Sequence, residues 1–456
     1  MLTLLPEWTT KQIIQLAPDT VSAQTGRQLA HQNDAAWELR ASDGSSAWAL
    51  YKKAGKEPYQ IKIDLVKIRK GEPGWHCNCD ADLSPCKHIL GLLYVMIKTP
   101  AKLSEAKAPE WLNHWLNESR NNQKTTTQNR PELSPEQQAQ RQANYDKRKE
   151  KIAEGLAELE QWLINLIRRG LADPQIRSYQ FWDERAARMI DAQAPGIADW
   201  LREMGGIPAK GMDWIEPLLD HLGRLYLLIE SFKRMDELSL ETQADLRGAL
   251  GWHVKADESI VEQGELIEDT WFVIGRFTGE MREKHRTQRI WLRGEQTGRD
   301  ALIMEFAFGN APFEVHLQLG WAFKAVMRYY PSRSPLRAFI FDTLSDIFTV
   351  SEIRGGSIVE NIMDYAKALT HNPWLGQFPF VLEKVIPVRH DNLWFVRELD
   401  GTYLPIAGSF TYKWNLLALS GGYPLQIAGE WDGSSFHPTG ALENRRFVDF
   451  GLIGKI

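Results

Sequence analysis

The stretch Trp75-His-Cys-Asn-Cys-Asp-Ala-Asp-Leu-Ser-Pro-Cys-Lys-His88, followed at once by the apolar run Ile89-Leu-Gly-Leu-Leu-Tyr-Val-Met-Ile97, decides how the first part of this chain is read. Cys77 and Cys79 stand two residues apart, and on a strand such residues project to one face, so both sulfurs can reach a single ion. His76 has the opposite parity and points away. Asp80, Asp82, Ser84 and Pro85 in the intervening six residues are turn formers that bring the chain back. Cys86 and His88 are also two apart, which in a regular helix would separate them by about 200°. The reading therefore places Cys86 in the turn and His88 in the first helical turn, with the apolar run continuing as a buried helix. Three thiolates and one imidazole make a closed tetrahedral site, so one structural Zn2+ is expected at Cys77, Cys79, Cys86 and His88. Lys87 either screens the net negative charge of such a site or is a plain solvated side chain.

Those three cysteines are all that the 456 residues contain. An odd, clustered set argues for metal ligation and against a disulfide framework in a reducing compartment. The competing readings are three buried thiols beside a core histidine, or a redox-cycling C-x-C. The polar loop and the closing C-x-H fit coordination better. The amino terminus lacks a basic segment followed by an apolar core, so no signal peptide is expected. Ile89–Ile97 is about half of the roughly 20 residues a spanning helix needs, and a cytoplasmic protein without a membrane segment is expected.

Outward from this stretch the chain divides by texture, and its length favours several domains. An α+β, multi-domain fold is expected. Residues 1–118 read as an α/β module: helical candidates at 11–16 and 22–31, strands at 47–51 and 59–65, the cysteine cluster, its helix, and a short helix around Trp111 and Trp115. Residues 119–134 are rich in Asn, Gln, Thr and Pro and read as a flexible linker. Ser134-Pro135 signals the start of a helix that runs to Arg169, with Gly170 as its stop. Ile152, Leu156, Leu159, Leu163 and Leu166 step by four and three and give it a packing seam, within the domain or between subunits. Further helices are expected at 181–192, 197–204, 214–235 and 240–250, so 135–250 reads as a helical bundle. Residues 251–372 read as mixed α/β, with strands at 270–274, 288–292 and 301–306, a hairpin connection at 294–300, and helices at 338–348 and 358–370. Residues 373–456, dense in short aromatic strands and Gly-rich turns, read as a small β-barrel or sandwich.

The formal net charge of −5 gives no whole-chain reason for a polyanionic partner. Between Leu50 and Lys107, however, eleven Lys and Arg stand against six acids. That local excess, densest at Val66-Lys-Ile-Arg-Lys70, is a candidate phosphate-facing surface for DNA or RNA; the plainer reading is a solvated strand face and loop. No phosphate-binding loop, dinucleotide fingerprint, metalloprotease motif or nucleophile elbow is found, so no catalytic residue is expected. Asp191, Gln193 and Asp432 are the polar residues to inspect first. Their plainer readings are hydrogen bonding at a helix end before Pro195 and a turn at Asp432-Gly433.

The pattern C-x-C, variable loop, C-x-H over Tyr59 to Ile97 resembles the SWIM zinc finger at all four ligand positions, Cys77, Cys79, Cys86 and His88. Such fingers occur in Mutator-type transposases, bacterial SWI/SNF-type ATPases and ubiquitin-related proteins, and the resemblance implies binding of DNA or other proteins. The segments LAPD at 16–19, AARMIDAQAPGIADWLR from Ala186, YYPSRSPLRA from Tyr329 and ALSGGYPLQIAGEWDG from Ala418 look like a bacterial group of stand-alone SWIM proteins with no assigned activity. Association of that group with MoxR-type (AAA-type) ATPases and von Willebrand A-type proteins implies a second possibility, an accessory scaffold for a partner ATPase.

Overall fold

The architecture is described from a computed structural model, which covers residues 8–18, 20–32, 34–53, 56–70, 74–81, 84–117, 135–209, 214–252, 264–280, 285–309, 311, 313–349, 352–443 and 446–452. The linker expected at 119–134 lies outside the described residues, as do Asp82 of the cysteine loop and Ser134. The layout is a mixed α+β, multi-domain one with three β-sheets and a helical bundle in the middle.

The first sheet has the order β4-β3-β2-β1-β5, from β1 (Trp37–Ser42), β2 (Ser46–Lys53), β3 (Lys56–Asp64), β4 (Trp75–Cys77) and β5 (Ser104–Glu105). Its alternation sorts side chains to two faces. Ala47, Ala49, Ile61 and Ile63 are fully buried against α4 (Lys87–Lys98). On the other face Trp48 packs with Ala41, Leu112 and Leu116, the last two from a short helix α5 (110–117). Helix α4 is apolar all round, as a helix enclosed on every side must be. Its outer side is covered by α1 (Thr10–Leu16) and α2 (Thr20–Gln32). Helices α2 and α4 touch at Gly26 and Gly91: a Cβ on Gly26 would sit 2.7 Å from the Leu90 Cβ, so a side chain there would push the helices apart.

Residues 66–70, expected as a basic strand-end and loop, instead belong to a short helix, α3 (Leu65–Arg69). Buried Asp64 causes it, because its carboxylate accepts from the backbone N–H of Val66 (3.0 Å) and Lys67 and so caps the helix start. The Arg69 carbonyl then receives the N–H of Ile347 at 2.9 Å, and Trp75 stacks on His316 (centroids 5.2 Å apart), so this edge docks on the second sheet.

The bundle comprises α6 (Pro135–Arg169), α7 (Tyr179–Asp191), α8 (Pro195–Gly206), α9 (Ile215–Lys233) and α10 (Leu240–Ala249). The α6 seam from Ile152 to Leu166 is buried within this chain's own core, with Trp182, Leu201 and Leu225. The Trp182 indole is fully buried, and its N–H donates to the Ile176 carbonyl at 2.8 Å. Gly170 ends α6 at φ +86°, where its N–H closes on Leu166.

The second sheet has the order β10-β9-β6-β7-β8, with β11 (Phe348–Thr349) on β9. Its strands are β6 (Leu266–Glu280), β7 (His285–Gly294), β8 (Asp300–Phe308), β9 (Trp321–Tyr329) and β10 (Ala338–Thr343). The helix expected at 338–348 is thus two strands. Short apolar runs are ambiguous between helix and strand. Here Phe339-Ile-Phe341 suits a pleated surface, and β9 offers an antiparallel edge in the register Ala338↔Tyr329. The run Trp271-Phe-Val-Ile274 is apolar at every position because both its faces are covered. Trp271 and Val273 enter one core with Phe323 and Met327, while Phe272 and Ile274 enter another with Phe380, Leu382 and Phe436 of the third sheet. The third sheet runs β14-β13-β12-β15-β16-β17, from β12 (Phe378–His390), β13 (Leu393–Arg397), β14 (Tyr403–Pro405), β15 (Leu425–Trp431), β16 (Phe436–Glu443) and β17 (Arg446–Asp449). It curls enough for Ile406 to bridge back to Phe436. Helices Ile358–His371 and Lys413–Ser420 flank it. Among the described residues no helix is long and apolar enough to cross a membrane.

Candidate metal centre

Strand β4 pairs with β3 in the register Ile61↔Cys77, Lys62↔His76 and Ile63↔Trp75. Pairing continues one residue further through Asn78, whose N–H donates to the Gln60 carbonyl and whose side-chain oxygen accepts the Gln60 N–H at 2.7 Å. This anchors Cys77 and Cys79 on either side of a fixed residue. Cys86 is the extended N-cap of α4 (φ −73°, ψ 167°) and His88 lies in the first turn, the positions their two-residue spacing requires. The Cys86 carbonyl accepts the Leu90 N–H at 3.0 Å, which fixes the helix start to the cysteine itself.

The sulfurs of Cys77, Cys79 and Cys86 and a ring nitrogen of His88 all lie within 4.8 Å of one another. Cys86 Sγ and His88 Nδ1 are 3.8 Å apart. A tetrahedral zinc with Zn–S of about 2.3 Å and Zn–N of about 2.0–2.1 Å would hold its ligand atoms about 3.5–3.8 Å apart, so the donor set fits the ion in number and chemistry, and the Cys86–His88 pair fits it in spacing. His88 and Cys86 are 4% exposed, and Cys77 and Cys79 are half-buried. Hydrogen bonds, first from Cys77 and then from Cys86, hold the Cys79 thiol far below its ordinary range; the hydrogen bond to Cys79 drives Cys77 far above. Three thiolates gathered in so small a space would repel one another, and a dication would offset that repulsion.

His88 is flanked by Tyr51 and Tyr59, a cross-strand pair of β2 and β3, with ring centroids 4.8 and 5.0 Å away. The Tyr59 hydroxyl donates to Asp80 at 3.1 Å and so ties the loop after Cys79 to β3. Sequence reading missed both tyrosines. Their signal was the β2–β3 pairing, which puts them opposite each other on the face toward α4. His76 is exposed and lies near Trp115 (centroids 6.5 Å), outside the cluster. Lys87 is exposed.

The other polar residues singled out have ordinary roles. Asp432 accepts from the N–H groups of Ser434 (2.8 Å) and Ser435 (2.7 Å) and shapes a turn. Asp191 is the last residue of α7, and Gln193 follows in the left-handed region at φ 62° with its N–H on the Ile190 carbonyl.

Residues 147–250 match the family model described as the SWIM-associated four-helix bundle domain, which is consistent with a SWIM-type protein. That match and the Cys/His cluster together fit a zinc-binding module. Comparison with curated proteins and with solved structures gave no match.

Proposed function

We propose that Cys77, Cys79, Cys86 and His88 bind one zinc ion in a purely structural site, and that the protein is an interaction module and not an enzyme. The observation that carries this reading is the donor set itself, three sulfurs and one nitrogen: four protein donors within 4.8 Å fill a tetrahedral shell and leave no position for substrate or water. Zinc here would brace the edge of the first sheet against α4, and function would belong to the surface so held.

DNA or RNA is the first candidate for that surface, because cations outnumber acids between Leu50 and Lys107. Part of the excess has internal work: Arg69 donates to the Gly44 carbonyl at 3.1 Å, and Lys62 lies 5.5 Å from the Trp111 ring centroid. Binding of the full-length protein to a short DNA duplex and to single-stranded RNA, titrated at several salt concentrations, tests the reading. Log affinity should fall linearly with log salt. No binding at low salt excludes nucleic acid. The alternative, an accessory scaffold for a partner ATPase of the MoxR type, draws support from Leu393, Tyr403, Trp414 and Tyr423, all exposed on and around the third sheet. Co-purification with such an ATPase, independent of salt and of added DNA, would favour it.

A further inference from the structure

Far along the chain from the cysteine cluster, the bundle, the second sheet and the segment after helix Ile358–His371 line a half-open cavity of about 310 Å³. Its walls carry three tryptophans brought from distant parts of the sequence, Trp252, Trp291 and Trp374, together with Tyr330. Arg337 also lines it, with its guanidinium carbon 4.4 Å from the Tyr330 ring centroid. Stacking uses the guanidinium face and leaves its in-plane N–H donors free for an oxyanion. Among the described residues no carboxylate pairs with Arg337, and burial lowers its pKa from the ordinary value. Arg337 is half-buried, and an anionic ligand would supply the counter-charge that no carboxylate among the described residues gives it.

Asp245, on the same cavity, does not fill that role. Its two oxygens accept from the Arg333 N–H (2.9 Å) and the Asn372 side chain (3.0 Å), which frames the cavity rim. On the bundle side the lining includes Gly248, exposed in the last turn of α10. A Cβ built there meets nothing within 4 Å, so a larger side chain can be placed there without displacing a neighbour.

We propose that this cavity binds a small molecule with a flat aromatic ring and an oxyanion, the ring between the tryptophans and the carboxylate or phosphate on Arg337. The site is independent of the zinc centre. Calorimetry on the full-length protein tests it with four probes: adenosine monophosphate and indoleacetate, which carry ring and oxyanion together, and adenosine and inorganic phosphate, which carry one each. At least one of the first two should bind with a Kd below about 1 mM, and adenosine and phosphate should bind at least about tenfold more weakly. Preference between the first two distinguishes phosphate from carboxylate. Arg337→Gln should weaken binding at least about tenfold, the loss of one charge-assisted hydrogen bond. Gly248→Phe, which fills the space without removing a contact, should abolish it. Absence of binding by both ring-bearing anions, or wild-type binding by either variant with an unchanged thermal melt, overturns the proposal.

Discussion

Cys79 is the residue on which the cluster turns, because it sits between the strand that carries Cys77 and the loop that leads to Cys86. Its replacement by serine leaves three donors and a harder, poorer fourth. Structural zinc contributes an apparent 10–16 kcal/mol, roughly, which matches or exceeds the ~5–15 kcal/mol stability of a whole domain. Cys79→Ser or His88→Ala should therefore abolish zinc binding and make residues 1–118 protease-sensitive, while the bundle resists; metal analysis and limited proteolysis read both. All four candidate ligands were legible in the sequence because spacing alone constrains them. Two-residue steps mean one face on a strand, and only a cap and first turn can converge in a helix. Tyr51 and Tyr59 were not legible, because their place beside His88 depends on cross-strand register rather than on local spacing.

At the scale of elements, the bundle shows what periodicity can and cannot settle. The 4-3 seam of α6 predicted its own burial, and the structure supplies the partners, Trp182 of α7 and Leu225 of α9, within the same chain. A seam gives a face, not a neighbour. Gly155, on α6 between seam positions, is a point of close approach between α6 and the end of α7, since a Cβ added there would collide with Ala192 and Met189. Gly155→Val should separate these helices and cost about 1–3 kcal/mol by overpacking, read as a lowered urea midpoint with unchanged zinc content. The strands at 338–343 and 348–349 were misread as a helix for the converse reason: their apolar residues suit either period, and the edge of β9 chose. The basic run 66–70 was likewise settled by one buried cap, Asp64.

The whole molecule is held together by polar clasps as well as shared cores. Asp245 joins α10 of the bundle to the Ser332–Ser334 turn before β10 and to Asn372 before β12. Burial is the largest influence on its carboxyl and raises its pKa from 3.8 to about 6, against the opposing pull of Ser332 and the Arg333 N–H. Since the folded pKa lies above the unfolded one, the folded protein takes up a proton first, and this residue's contribution to stability rises as pH falls from about 6 to about 4. The difference corresponds to at most about 3 kcal/mol. Measured against Asp245→Asn, the wild-type protein should gain stability across that window; a parallel pH dependence of the two would show the carboxyl to be unperturbed. His316, in the stack that joins the first sheet to the second, has the opposite sign. Burial, aided by Arg276, lowers its pKa to about 4, so its contribution is complete above about 6.5 and is lost as pH falls toward 4. Neither effect was legible in the sequence, because each arises where segments far apart in the chain meet.

The central claim, a structural zinc brace, is tested most directly by removing the metal from the intact wild-type protein and following proteolysis. The account predicts one zinc per chain as purified. After chelation, cleavage should be confined to residues 1–118, and protection should return on addition of zinc. A wild-type protein that purifies without zinc, and whose cleavage is the same with chelator, with added zinc and with neither, would contradict it.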